Sequence, residues 1–173
     1  ANQLLTTNGS GVLTWTTPAG GITEIDAWYL DTDYTGEADI TANLERVAAG
    51  GFAKLGTGMS QSSGIFTFPS TGIWRIEFIA QFQDSGHDNR SIWTRIKTTV
   101  NNSSYVTASS HGTNLYRPAS GVHYVHGITS FIFDVTNTST HKVLFNAGAT
   151  DIGVRGSDPL ATTQMQFIRL GDT

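Results

Sequence analysis

Residues 64–82, GIFTFPSTGIWRIEFIAQF, restrict the possible folds more than any other stretch of the chain. From Trp74 to Phe82 the apolar residues Trp74, Ile76, Phe78, Ala80 and Phe82 alternate with Arg75, Glu77 and Gln81, and only Ile79 interrupts the pattern. Successive side chains of a strand point to opposite faces, so alternation sustained over this length specifies a β-strand with one face in a core. Pro69 cannot donate to a strand ladder and belongs at a strand end, and Gly72 supplies the turn that follows. The stretch therefore reads as a short apolar strand, a tight turn and a long amphipathic strand.

The remaining segments follow the same pattern. Ser91–Val100 places Ile92, Thr94, Ile96, Thr98 and Val100 inward, with Trp93, Arg95, Lys97 and Thr99 outward. Asn101–Ser104 is a turn, Tyr105–Ser109 a returning strand, and 110–121 a polar loop. Val122–Val135 is the longest β-prone run and is apolar on both sides around Phe131, with Ile128 and Ile132 on one and Phe131, Phe133 and Val135 on the other. A strand apolar on both faces is buried on both faces. In a one-domain sandwich the second face needs a partner, and another subunit is the obvious one. Lys142–Ala147 follows a turn at 137–140, and Thr163–Leu170 closes the chain, again apolar on both sides. Residues 22–34 change their apolar side partway, which implies a bulge or a doubly buried end. Ile40–Val47 reads as extended and 48–64 as loop. Eight to ten short strands at this spacing predict an all-β sandwich or barrel, and no segment has the pattern of an amphipathic helix.

Composition agrees. Only 14% of the 173 residues are charged, against about 25% in ordinary soluble domains, while Ser and Thr together number 40 and Gly 19. Such a chain favours strands joined by small-residue turns. The net charge of −4 argues against a nucleic-acid partner, which calls for a basic stripe. No run of 18 apolar residues offers a membrane-spanning helix. With no cysteine, neither disulfides nor thiolate metal sites are available, so stability rests on packing or association. Residues 1–21 carry two β-prone runs around Asn8-Gly9, a strong hairpin signal, and end in the hinge-like Pro18-Ala19-Gly20-Gly21. The chain divides into an N-terminal arm, 1–21, and a head domain, 22–173.

Four constellations invite a chemical reading. The segment 31–39 places Asp31, Asp33, Glu37 and Asp39 close together, and oxygen-rich loops of this kind bind Ca²⁺. Asp31, Asp33 and Glu37 are the candidate ligands, the competing reading being a solvated acidic turn; no other cofactor is implied. His123 and His126 are three residues apart on a strand and so face opposite sides, which prevents chelation of one ion. The loop 84–90 holds acid, Ser and His but no nucleophile elbow, and is a better candidate for recognition through His87 and Asp88 than for catalysis. Trp93 lies on a polar strand face beside Arg95, where the ring can stack on a sugar and the guanidinium can meet an anion. The competing reading is that a neighbouring strand or subunit covers Trp93.

The order of elements from Phe52 through Leu55-Gly56, Ser63–Ser70 and Thr71-Gly72-Ile73-Trp74 resembles the signature region of C1q/TNF-like jelly rolls. There a strand ending in Pro, a Gly turn and an aromatic-bearing strand occur in the same sequence. Ser130–Thr138 and the closing Gln166–Gly171 fit the same plan. Leu4–Trp15 resembles a short segment recurrent in tail- and head-fibre proteins of tailed bacteriophages. The resemblance implies a C1q/TNF-like jelly-roll sandwich forming a homotrimer on inner-sheet aromatics, for which Phe131, Phe133, Tyr124 and Phe167 are the candidates. It also implies a non-enzymatic fibre, spike or capsid-decorating protein of a virion. In that setting the arm would dock on other virion proteins through Leu4, Leu5, Val12, Leu13 and Trp15, and the head would contact a host-surface glycan. The alternative is a secreted bacterial carbohydrate-binding module of the same fold.

Overall fold

Strand β9 (Gly72–Asp84) is the spine of the molecule, and its alternation is realised residue by residue: Trp74, Ile76, Phe78, Ala80 and Phe82 are all fully buried. The computed structural model describes residues 3–16, 21–84, 89–116 and 121–173, with the backbone alone at 89–90. Among them there is no helix. The strands preceding β9 are β1 (Leu4–Thr7), β2 (Leu13–Thr16), β3 (Ile25–Leu30), β4 (Tyr34–Thr35), β5 (Ala38–Asp39), β6 (Leu44–Arg46), β7 (Ser60–Ser62) and β8 (Ile65–Thr67). Those following it are β10 (Asn89–Thr99), β11 (Val106–Leu115), β12 (Tyr124–Val135), β13 (Lys142–Gly148), β14 (Ile152–Val154) and β15 (Gln164–Gly171).

Two antiparallel sheets face each other. One runs β11-β10-β13-β8-β7, with β5 also on β13; the other runs β4-β14-β9-β15-β3-β6, with β12 on the free side of β9. β12 and β9 pair without a register break from Tyr124↔Gln83 to Val135↔Gly72. The unbroken register keeps every second residue of both strands on the inner face. Between the sheets Phe66 meets Trp28, Phe145 and Phe167 with ring centroids 5.5, 5.5 and 5.1 Å apart. Each such large apolar side chain contributes on the order of 1.5–3 kcal/mol by leaving water. At one corner Ser63 and Gly64 enter β8, and Gly64 has φ +77° with the Ile40 carbonyl oxygen where a Cβ would sit, so no other residue fits.

Several sequence expectations need correction. β7 lies in the segment 48–64 expected to be loop, and β14 in a stretch with no assigned element; each has only three residues, too few for a period to register. Val100 is 61% exposed rather than inward, because β10 ends at Thr99. There the Asn101 side chain accepts bonds from the Ser103 and Ser104 amides and closes a turn. Residues 110–115 are not loop but the second half of β11, whose polarity reflects its place at a sheet edge. β1 and β2 pair only with each other.

Candidate functional site

Two faces of the sandwich present chemistry to solvent. The first is the outer face of the sheet containing β9. Along β12 the residues pointing away from the core include Tyr124, Ile128 and Ile132, which are 47, 53 and 53% exposed. Across the register Ile128 stands opposite Ile79, whose row continues over Gln164 and Tyr29, and Ile132 stands opposite Arg75, whose row continues over Ile168 and Ile25. A groove of ≈210 Å³ between β3 and β15 on this face includes Ile25, Ala27, Phe52, Gln166 and Ile168 in its lining. At one end Arg155 donates to the Tyr124 hydroxyl at 2.7 Å, with its guanidinium carbon 5.1 Å from the ring centre.

Of the residues expected to join subunits, only Tyr124 lies on this outer face. Phe167 is fully buried and Phe133 nearly so, and both pack inside the sandwich. Phe133 stacks on His141 and meets Phe68, and Phe131 is half-buried 6.0 Å from Phe133. Alternation places odd-numbered β12 residues inward and even-numbered ones outward, so the outward apolar residues are Ile128 and Ile132 rather than the phenylalanines.

The second face is the outside of the sheet containing β10. Trp93 is half-buried, and its cross-strand partners on both sides are glycines, Gly112 in β11 and Gly148 in β13. The six-membered ring of the indole rests against Gly112, where a Cβ would come within 2.9 Å of Cζ3. Arg95 lies over the ring with its guanidinium carbon 5.2 Å from the centroid, pairs with Glu37, and donates to Asn146 Oδ1 at 2.9 Å. Lys97 pairs with Asp39 at 2.8 Å. Arg95 is thus held by protein partners rather than presented to an anion. His87 and Asp88 fall outside the described residues.

The acidic turn is dispersed. Glu37 goes to Arg95, Asp33 accepts from the Gly156 amide and from Gln83 Nε2, and the Asp31 amide bonds the Asn43 carbonyl. Asp31, Asp33 and Glu37 therefore do not converge, and among the described residues no three His, Asp or Glu side chains are arranged to hold an ion. Tyr34 within this turn donates to the Ala147 carbonyl at 2.9 Å. Burial, with Asp39 and Glu37 nearby, pushes its hydroxyl well above the ordinary range and keeps it a neutral donor.

One node went unread in the sequence. Asp26, 1% exposed, accepts from the Trp28 indole at 3.0 Å, the Met59 amide at 2.7 Å and the Arg46 guanidinium at 3.0 Å. Arg46 also stacks on Trp28 at 4.6 Å and donates to the Met59 carbonyl. The signal was an Asp within the apolar run IDAWYL, where a carboxylate is tolerated only when paired.

The N-terminal hairpin β1-β2 is exposed along its length. Leu5, Leu13 and Trp15 share one face at 50, 64 and 63% exposure, with Leu4 and Val12 on the other side. That other side also carries Thr6, Thr14 and Thr16, joined by hydroxyl bonds.

No family model matches this sequence, and no curated protein is detectably similar. The fold has solved counterparts. Murine APRIL at pH 5.0 superposes with a TM-score of 0.60 at 11% identity, covering 85% of this chain and 98% of that one. Eiger TNF from S. frugiperda superposes with a TM-score of 0.59 at 9% identity, covering 89% and 96%. The chain has the TNF-like jelly-roll fold.

Proposed function

We propose that this chain is the head of a self-associating adhesive or structural protein of a bacteriophage virion, a homotrimer of jelly rolls borne on the N-terminal hairpin. The observation that carries the reading is the outward apolar row of β12, Tyr124, Ile128 and Ile132, on a sheet face that continues over Ile79, Ile168 and Ile25. Large apolar side chains left in water on one sheet face fit a protein interface. TNF-like neighbours support assembly in threes. The virion setting rests on the resemblance of Leu4–Trp15 to fibre-protein segments. A two-stranded hairpin with five large apolar side chains in water is marginal on its own, which favours a docked partner for it. In this role the head works by contact, and repetition of weak contacts on one rigid assembly gives avidity.

Sedimentation equilibrium tests the assembly: the mass expected is three times 18.6 kDa, about 56 kDa, and a stable monomer overturns the reading. Removing residues 1–21 should leave that mass, less the arm, unchanged while abolishing co-sedimentation with particles. Retention of the shortened head on particles refutes the arm's role.

A further inference from the structure

The outer face of the β10 sheet carries a depression of ≈390 Å³ lined by Ser91, Trp93, Gly112, Thr113 and Asn114. Its size falls in the range of small-molecule sites, about 300–1,000 Å³. We propose that this depression is a monosaccharide subsite that takes an uncharged pyranose unit, with its C–H face against the Trp93 indole and its hydroxyls met by Asn114 and the indole N–H. The inference deepens the adhesive role proposed above and rests on it for its biological setting.

Three features carry it. First, both cross-strand partners of Trp93 are glycines, so no side chain stands directly opposite it in β11 or β13. A side chain at 112 would collide with Cζ3 and lift the ring off the sheet. Second, none of the five lining residues is charged, and Arg95, the cation seen beside the Trp93 ring, is neutralised by Glu37 and anchored on Asn146. At 5.2 Å from the centroid the guanidinium lies within cation–π range, about 6 Å, and steadies the ring. Among the described residues an anionic ligand finds no free positive charge there, which separates this site from the anion-reading arrangement suggested by Arg95 in the sequence. Third, the Asn114 side chain and the Trp93 indole N–H have no hydrogen-bond partner among the described residues, and both residues belong to the lining. An apolar flat surface ringed by neutral donors and acceptors matches a pyranose, which is apolar on its C–H face and hydroxylated at its rim. The site faces away from the apolar row of β12, so assembly through that row leaves it open.

The test is titration of the full chain with methyl glycosides of glucose, galactose, mannose and N-acetylglucosamine, and with sialic acid as the anionic arm. Indole N–H resonances are the readout. Among Trp15, Trp28, Trp74 and Trp93, only the Trp93 signal should shift, with at least one neutral glycoside binding at ~1 mM, the strength of a single shallow subsite. Trp93→Ala should weaken binding at least about tenfold and Asn114→Ala several-fold. Gly112→Val should abolish it while the far-ultraviolet circular dichroism and sedimenting mass stay those of the wild type. Binding undiminished in Trp93→Ala or Gly112→Val, a shift with sialic acid only, or no shift with any neutral glycoside each overturns the proposal. Monosaccharide binding needs no assembly, so a monomeric chain that binds sugar refutes the trimer alone, and a trimer that binds none refutes this subsite alone.

Discussion

Replacing Ile128 by Glu is the sharpest probe of how this molecule assembles. Ile128 points away from the core at 53% exposure, opposite Ile79, so the substitution touches no buried contact of the single chain. Full burial of an isoleucine contributes on the order of 1.5–3 kcal/mol, so covering the half still in water contributes about 1 kcal/mol per protomer. A trimer repeats this three times, about 3 kcal/mol, or a factor of roughly 150 in the assembly constant. Glu adds a further penalty, since an unpaired carboxylate taken into an interface costs several kcal/mol. Sedimentation equilibrium over a range of concentrations should show the variant as a monomer near 18.6 kDa where the wild type sediments at three times that mass. Its thermal unfolding at monomeric concentrations should match a wild-type sample diluted to the same state. A variant that keeps the wild-type mass refutes the assignment of this face, whatever the oligomer proves to be.

Asp26→Asn should destabilise the fold by about 3–5 kcal/mol in urea unfolding, because the Arg46 charge loses its partner and an amide donor then faces other donors. A loss below about 1 kcal/mol refutes the node. Stability should fall as pH rises above 10, the ordinary tyrosine value. There the unfolded chain releases the Tyr34 proton while the native hydroxyl, with its raised pKa, keeps it, so the unfolded state binds fewer protons and the slope is negative. Tyr34→Phe should flatten that slope, as read from urea midpoints between pH 9 and pH 11 (about one unit either side of the titration); an unchanged slope refutes the assignment. Gly64→Ala should cost more than the about 1 kcal/mol of an ordinary glycine replacement, because its Cβ meets the Ile40 carbonyl.

The alternation of residues 74–82 and 92–98 was legible because each strand buries one face, and period two then identifies the core without reference to any neighbour. The both-sided apolar character of Val122–Val135 was legible in the same way, but its use was not. Phe131 and Phe133 are the larger side chains, yet they face inward, and the smaller Ile128 and Ile132 face outward. Size says nothing about side; only the register with β9 does. The carboxylates of the acidic turn stand apart for a related reason. They are neighbours in sequence, but Glu37 and Asp39 are drawn to Arg95 and Lys97 some 58 positions away, and Asp33 to Gly156.

From the sequence alone one can derive the all-β class, the core face of the long strands, the turn at Pro69–Gly72 and the uncharged N-terminal hairpin. Each depends on local periodicity or on the fixed backbone limits of proline and glycine. The pairing of Trp93 with two glycines, the anchoring of Arg95 and the isolation of Asp26 inside a cage of donors were decided by tertiary structure. Each joins residues far apart in the chain, and which strand lies beside which is a property of the packed sandwich rather than of any segment within it.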